Sequence, residues 1–237
     1  MPELANGLVF YLVFLLSTTL HEAAHAWAAL KGGDPTAYAG GQVTIDPIPH
    51  IRREPFGMVI LPLIAVVVSG WPLGFASAPY DPQWAERYPR RSAWMSLAGP
   101  LANLGLVIVS AIVLTIGLFT GHFVAPDELG FDNVVDAAAG TDSALHIVAY
   151  FFEVFFSMNL LLFVFNLMPV PPLDGSGAIM LGMTEKTMRR YQRFLWDNPM
   201  LSMIGIFVAW QSFQYVFGPA FIAVVNLLFL PHGIYYG

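Results

Sequence analysis

The chain of 237 residues contains no cysteine and few charged residues. Without cysteine it forms no disulfide and offers no thiolate to a metal ion. Charged residues make up 11% of the chain, against roughly 25% in soluble domains, and hydrophobic residues make up 57%. The longest hydrophilic stretch, residues 119–143, is long enough only for a loop. We therefore expect one integral membrane domain over residues 1–237, embedded in a lipid bilayer and without a nucleic-acid partner.

Four apolar runs reach the length of roughly 20 residues that a helix needs to cross a bilayer. Three are uninterrupted and the last is broken at Gly218-Pro219; they cover residues 7–30, 93–119, 144–168 and 199–230. The part after the break would form a last helix or a helical hook. The sequence therefore predicts an all-α polytopic membrane protein with about five to six transmembrane helices.

A further apolar run, residues 57–68, is shorter than the others. As a helix it would rise about 18 Å, which is less than the hydrocarbon core of roughly 30 Å. Prolines and glycines punctuate the following residues as far as Pro79. We expect this stretch to form a re-entrant hairpin, or two tilted passes of which the second is short.

Charge is distributed unevenly among the connections. All ten basic residues lie in three groups, whereas residues 119–143 hold five acidic residues, including Asp142, and no basic one. The basic groups are Lys31 with Arg52 and Arg53; Arg87, Arg90 and Arg91; and Lys186, Arg189, Arg190 and Arg193. The positive-inside rule predicts that the basic groups are cytoplasmic and the acidic connection is outside. The first helix would then run from outside to inside.

The first apolar run contains the sequence His21-Glu22-Ala23-Ala24-His25. On a helix, two histidines four residues apart project from one face and reach the same metal ion, with Glu22 beside them as a general base. Ionisable side chains are costly at membrane depth, so this group indicates a metal site more than a pair of structural histidines. A cleaved signal peptide would discard both histidines, so we expect the run to remain in the protein.

A catalytic zinc ion has three protein ligands and one open position. The candidate third ligand is Asp174, in the segment Asn166–Gly175 that follows the third long run. Three prolines end the helix there, and the final glycine allows a close backbone approach. By the predicted topology, Asp174 reaches the membrane level of His25, near the cytoplasmic face. An aspartate before glycine is by itself a common turn residue, but beside the HEAAH motif the metal interpretation is favoured.

Three motifs occur together: HEAAHA from His21, SLAGPLANL from Ser96 and NLMPVPPLDG from Asn166. With them the chain resembles the site-2 protease family of intramembrane zinc metalloproteases. The stretch GGQVTIDPIPHI, followed by PFGMVILPLI and PLGFASAPYDP, is similar to the minimal bacterial and archaeal branch of that family, which lacks a PDZ domain. The resemblance covers residues 7–190 and implies a multi-pass protein of a bacterial or archaeal cell membrane.

The resemblance also implies roles for individual residues. His21, His25 and Asp174 would bind one zinc ion per chain, and Glu22 would be the general base. Asn166 would steady the substrate or the oxyanion, while an interhelical hydrogen bond is an equally good explanation of an amide at this position.

Two positions depart from the family pattern. Asp46 stands where relatives often have asparagine, and Arg52 and Arg53 stand where they often have an acidic residue. We therefore favour a loop role for the nearby His50.

The implied substrates are transmembrane segments of membrane proteins. Zinc lowers the pKa of a bound water towards about 7, and Glu22 accepts its proton and passes it to the leaving amine. A helical substrate must unwind first, because its carbonyls are already hydrogen-bonded. Residues 40–45 would form part of a short membrane-associated β-hairpin whose edge pairs with the unwound substrate, or else a plain cytoplasmic loop.

Asn103 and Glu153 are polar residues that lie within apolar runs. Asn103 ends a stretch of small residues that suits close helix packing, and it is a candidate partner for a metal ligand. Glu153 lies about two helical turns from the outer face, so we expect a satisfied polar contact there and not zinc chemistry.

Two other functions would use the same residues. In a metal transporter the histidines and Asp174 would form a transient site, but transporters carry further polar residues along several helices and often an internal repeat. No internal repeat is present in the sequence. A catalytically silent membrane scaffold would have no need of Glu22. The sequence therefore favours an intramembrane metalloendopeptidase.

Overall fold

A computed structural model describes residues 2–140 and 143–237, and this part of the chain is mainly helical. Its α-helices in chain order are α1 (Pro2–Gly32), α2 (Thr36–Ala39), α3 (Pro47–Arg53), α4 (Leu61–Ser69), α5 (Pro82–Arg87), α6 (Pro89–Phe119), α7 (Ser143–Asn166), α8 (Asp174–Ala178), α9 (Glu185–Asp197) and α10 (Met200–Phe229). Four of them, α1, α6, α7 and α10, are long and apolar enough to cross a membrane. The predicted all-α polytopic class is confirmed.

The last long helix, α10, is continuous. The break predicted at Gly218-Pro219 is absent, since the helix includes Pro219 and ends at Phe229. A proline inside a helix removes one backbone hydrogen bond, and long apolar helices tolerate that loss. The residues after the predicted break therefore do not form a separate helix, and four helices of the described chain have spanning length.

The shorter apolar run also forms a helix. A π-helical turn over Phe56–Ile60 continues into α4, and Gly70 ends α4 in the left-handed conformation with a φ of 80°. Residues 72–81 then have no regular secondary structure. This agrees with the predicted short segment, while its path through a bilayer stays a prediction.

Of the two alternatives predicted for residues 40–45, the structure shows the loop and not the β-hairpin. These residues form a turn between α2 and α3, where Gly41 has a φ of 74° and the Gln42 amide bonds back to α2. In the described part of the chain the paired strands are β1 (Phe123–Val124) and β2 (Asp136–Ala137), which are antiparallel. Weak alternation over six residues is a poor strand signal, and here the glycine turn and the backbone bond to α2 decide the local structure.

Helices α1, α6 and α7 form the centre of the bundle. Helices α1 and α7 meet through Val13, Val154 and Met158. Helices α6, α7 and α10 meet in a second cluster that includes Leu114 and Phe156. Helix α8 packs against α6 as well. The motif-bearing helices α1 and α8 therefore both contact α6.

The connection between α6 and α7 is attached to the bundle by Glu153. The buried carboxylate accepts hydrogen bonds from the amides of Val134 at 3.0 Å and Val135 at 3.2 Å. The predicted satisfied contact of Glu153 is confirmed. Asp142, one of the five acidic residues predicted for this connection, lies outside the described residues.

Candidate active site

The HEAAH residues lie in the second half of α1 and face the interior of the bundle. The side chains of His21, Glu22 and His25 are all buried. Residues four apart on a helix are separated by about one turn, so the two imidazoles lie side by side. Their Nε2 atoms are 3.0 Å apart.

Asp174 is the first residue of α8, and the backbone around it brings it to the histidines. Gly175 packs against the end of α7, where a Cβ would lie 2.2 Å from the carbonyl oxygen of Leu167. The glycine therefore permits an approach that a side chain would prevent. As a result Asp174 Oδ2 lies 3.0 Å from His21 Nε2 and 3.2 Å from His25 Nε2. The three predicted ligands are brought together.

The second ring nitrogen of each histidine is hydrogen-bonded away from this cluster. His25 Nδ1 donates to the Met95 carbonyl at 2.7 Å, and His21 Nδ1 donates to Asn103 Oδ1 at 2.5 Å. Both acceptors are carbonyl oxygens, so each Nδ1 carries the hydrogen. In the neutral rings, each Nε2 therefore presents a lone pair towards the other and towards Asp174.

Asn103 is held by polar contacts that cross three helices. Its Nδ2 donates to Asn159 Oδ1 on α7 at 2.9 Å, and Asn159 Nδ2 donates to Ser17 Oγ on α1 at 2.9 Å. These bonds orient the Asn103 amide so that its oxygen faces His21. The predicted contact between Asn103 and a metal ligand is confirmed, whereas Asn159 and Ser17 were not predicted, because no motif marks them.

The donor set suits a zinc ion. Two nitrogen lone pairs and a carboxylate oxygen, 3.0 to 3.2 Å apart, repel one another unless a proton or a metal ion lies between them. In a tetrahedral zinc site with bonds of about 2.0 Å, neighbouring ligand atoms lie about 3.3 Å apart. The observed separations match three ligands of such an ion, which leaves one position for water or substrate.

The charge state of Asp174 agrees with metal binding. Burial raises the pKa of the Asp174 carboxyl, but where the Nε2 atoms carry protons in place of a metal ion, the charge of His25 and the hydrogen bonds from both histidines lower it further. The pKa therefore lies below its ordinary value. Asp174 is a carboxylate at neutral pH, which is the form that binds a metal ion.

Space at the cluster depends on Gly99 of α6. A Cβ on this residue would lie 2.3 Å from His25 Nε2 and 2.5 Å from His21 Nε2, well inside van der Waals contact. Any side chain there would enter the volume between the two rings. The glycine of the SLAGPLANL motif thus lets α6 approach the ligands without blocking them.

A cavity of about 700 Å³ adjoins the three ligands. Glu22 lines it, and its carboxylate makes no hydrogen bond to another described residue. Asn166 also lines the cavity, although its Nδ2 donates to the Leu162 carbonyl of its own helix at 3.0 Å. The position of Glu22 agrees with a general base, and the role of Asn166 stays a prediction.

Two parts of the cavity wall were not predicted from the sequence. Residues 74–78 line it after α4, and Gln192, Leu195 and Trp196 line it from α9. The first segment lies within PLGFASAPYDP, a stretch for which the family resemblance implied no role at the site. In α9, however, Met188, Gln192 and Leu195 are spaced at i, i+4 and i+7, which marks one helical face with a single polar member.

His50 lies outside the ligand cluster. Its Nε2 donates to the Thr44 carbonyl at 3.1 Å. The neighbouring departures from the family pattern are structural too: Asp46 caps α3 by accepting from the Ile48 amide, and Arg53 donates to the Ser77 carbonyl. His50 itself lies in the short helix α3 and not in a loop, and its hydrogen bond to Thr44 is a contact within this connection.

The fold and the site together define a zinc metalloprotease built from helices of membrane length. The sequence matches the model of Peptidase family M50 over residues 9–211. The chain belongs to this family, the site-2 protease family of intramembrane zinc metalloproteases, as its motifs predicted.

Individual relatives agree with this assignment. The chain is 35% identical over 171 residues to YwhC of Bacillus subtilis, which is named as a candidate zinc metalloprotease. The aligned region covers 71% of this chain and 67% of YwhC. It is 31% identical over 184 residues to Rip2 of Mycolicibacterium smegmatis, which is also named as a candidate zinc metalloprotease. The aligned region covers 76% of this chain and 61% of Rip2. The chain thus spans about two thirds or less of the length of these relatives. No solved structure matches it.

Proposed function

We propose that the protein is an intramembrane endopeptidase that hydrolyses peptide bonds in the transmembrane segments of membrane proteins. One observation carries the proposal: His21 Nε2, His25 Nε2 and Asp174 Oδ2 converge beside Glu22 among helices of membrane length. These three residues would hold one zinc ion per chain. A transporter or an inert scaffold would not need a residue such as Glu22, a buried glutamate beside the ligands whose carboxylate makes no hydrogen bond to another described residue.

The chemistry divides between the metal ion and the chain. A bound zinc ion supplies Lewis acidity, which lowers the pKa of a coordinated water and polarises a peptide carbonyl. Glu22 accepts the proton of the attacking water and passes it to the leaving amine. Asn166 steadies the substrate or the oxyanion, for which its amide turns from the Leu162 carbonyl towards the cavity that it lines.

The active site in this proposal is nearer the cytoplasmic face. Lys31 lies in the last turn of α1, and Arg52 and Arg53 follow in the next connection, so the positive-inside rule predicts that this end of α1 is cytoplasmic. HEAAH lies within three turns of that end. Water needed for hydrolysis then has a short path to the cavity.

Residues 74–78 supply backbone partners for an unwound substrate. The Phe75 amide donates to the Gly57 carbonyl, and the Ser77 carbonyl accepts from two side chains of the preceding connection. The backbone groups of Ala76 and Ala78 make no hydrogen bond to other described residues. Pairing at alternate residues is what one edge of a strand shows. The unpaired edge suits addition of a substrate strand, which was one of the two alternatives predicted for residues 40–45.

The test is cleavage of a model transmembrane substrate in detergent by wild type and by Glu22→Gln. Because the change removes the general base and keeps all three ligands, the rate of cleavage should fall at least about a hundredfold, with zinc content unchanged. Product is followed by mass spectrometry and zinc by atomic absorption.

The matched control is Glu153→Gln, the same change at a buried glutamate outside the cavity. Its amide oxygen still accepts hydrogen bonds from the α6–α7 connection, so cleavage should stay close to wild type. Full activity of Glu22→Gln would remove Glu22 from the mechanism. Zinc flux into liposomes without any cleavage would instead favour transport.

A further inference from the structure

Helix α9 directs one amide side chain towards the active-site cavity. The helix is polar and basic over most of its surface, and its buried residues are Met188 and Gln192. Met188 packs with Ala93 and Met180 in an apolar cluster. Gln192, one turn further along, instead lines the cavity that contains the three metal ligands.

Gln192 is buried, and the oxygen of its side-chain amide has no partner among the described residues. Its side chain is 6% exposed. Buried amides are nearly always hydrogen-bonded, because an unpaired one loses its bonds to water and gains nothing in return. Methionine or leucine would suit this position of the helix better if packing were its only role.

We propose that Gln192 is a substrate-binding residue whose side-chain amide hydrogen-bonds the main chain of the unwound substrate segment. The inference rests on the proposed peptidase function and assigns a subsite within it. The ligand that Gln192 recognises is a peptide group, and no particular substrate side chain is required.

The chemistry of the amide matches that ligand. A glutamine side chain has one carbonyl acceptor and two N–H donors, the same groups that an unwound backbone exposes at every residue. The neighbouring wall residues Leu195, Trp196 and Ile206 are mainly apolar and offer such a backbone little else to bond. A substrate that stays helical keeps its amides bonded internally. Gln192 therefore favours the unwound form, which is the form that can be cleaved.

The experiment compares Gln192→Met with Gln211→Met. Methionine keeps the length and flexibility of glutamine and removes its polar atoms. Gln211 is an exposed residue of α10 and does not line the cavity, so it controls for the chemical change itself. We expect KM for a synthetic transmembrane peptide to rise about tenfold in Gln192→Met, with kcat and zinc content unchanged, and no change in Gln211→Met.

A second readout uses peptides in which single backbone amides are replaced by esters. Each ester removes one N–H donor without changing any side chain. For wild type, one ester position should raise KM because the Gln192 side-chain amide loses its N–H partner on the substrate. In Gln192→Met that same ester should have no further effect, since the two changes remove the same hydrogen bond.

The outcomes separate this inference from the proposed function. Wild-type KM in Gln192→Met, or ester effects that simply multiply with the substitution, would overturn the role of Gln192 while wild-type cleavage still supports the peptidase. Absence of cleavage by wild type contradicts the peptidase itself. Gln192→Leu is a second apolar variant, and loss of zinc and thermal stability in both variants would assign Gln192 to the fold instead.

Discussion

Two buried glutamates, Glu153 and Glu22, lie towards opposite ends of the helix bundle and have different hydrogen-bonding surroundings. Glu153, in the first half of α7, accepts hydrogen bonds from the amides of Val134 and Val135. Glu22, on α1, is equally buried but makes no hydrogen bond to another described residue and lines a cavity. Burial is therefore the same at the two ends, and pairing is what differs. A paired carboxylate stabilises the fold, whereas an unpaired one beside metal ligands is available for chemistry.

The polar chain through the bundle shows the same contrast within one network. Ser17, Asn159 and Asn103 pair with one another in sequence, so their hydrogen-bonding capacity is largely used internally. This series of hydrogen bonds ends at His21 Nδ1, which donates to Asn103. Because Nδ1 carries the hydrogen, the other nitrogen of the ring, Nε2, presents a lone pair. At this level of the bundle, the lone pairs left for a metal ion are therefore those of the three ligand atoms, His21 Nε2, His25 Nε2 and Asp174 Oδ2.

The largest expected effect comes from Gly99→Ala. A methyl group there would lie between the two Nε2 atoms, so the ligands could not keep their spacing around one ion. We expect zinc content to fall close to zero and cleavage to be lost. Zinc is measured by atomic absorption on purified protein, and folding by circular dichroism.

The matched control is Gly105→Ala, further along the same helix. A Cβ on Gly105 meets nothing within 4 Å. Because alanine favours helix over glycine, this variant should keep its zinc and gain up to about 1 kcal/mol in unfolding free energy. Equal zinc content in the two variants would show that the space at Gly99 does not define the site.

A smaller effect is expected from Asn103→Ala. The change leaves His21 Nδ1 without its acceptor and Asn159 Oδ1 without its donor, but it removes no ligand. Loss of such a supporting contact typically lowers metal affinity about 10- to 100-fold. Competition with a chelator of known zinc affinity measures the change.

The control for that experiment is Asn226→Ala on α10. Asn226 bonds the backbone of Tyr236 through both of its amide atoms, so its loss should affect the attachment of the chain's last residues and leave zinc affinity unchanged. An equal loss of zinc affinity in both variants would mean that Asn103 acts only through general stability.

The features that could be predicted from the sequence are those with a strong local signal. Long apolar runs identify α1, α6 and α7, and the histidine spacing identifies one helical face. Asp174 was predicted because the prolines end a helix of fixed direction, so topology alone brings it to the level of His25.

The features that could not be predicted depend on how the helices rotate against one another. Asn159 meets Ser17 across 142 residues of sequence, and nothing in either local pattern encodes that contact. The hairpin at residues 40–45 failed for the opposite reason, because its weak alternation was outweighed by a glycine turn. Gln192 is an intermediate case. The spacing of Met188, Gln192 and Leu195 indicates one face of a helix, but nothing in the sequence predicts the cavity beside that face.

The smallest expected effect on the metal site comes from Glu153→Ala, at the paired end of the bundle. The change leaves two backbone amides without an acceptor, at a cost of about 1–3 kcal/mol each where they stay buried. We expect a lower Tm and faster hydrogen exchange at Val134 and Val135, whereas zinc affinity and the kcat of the folded protein should match wild type. Glu153→Gln, which keeps one acceptor, should fall between them in Tm. If Glu153→Ala instead lost zinc at a temperature where it remains folded, the two ends would be coupled, and pairing would not separate structural from catalytic carboxylates in this protein.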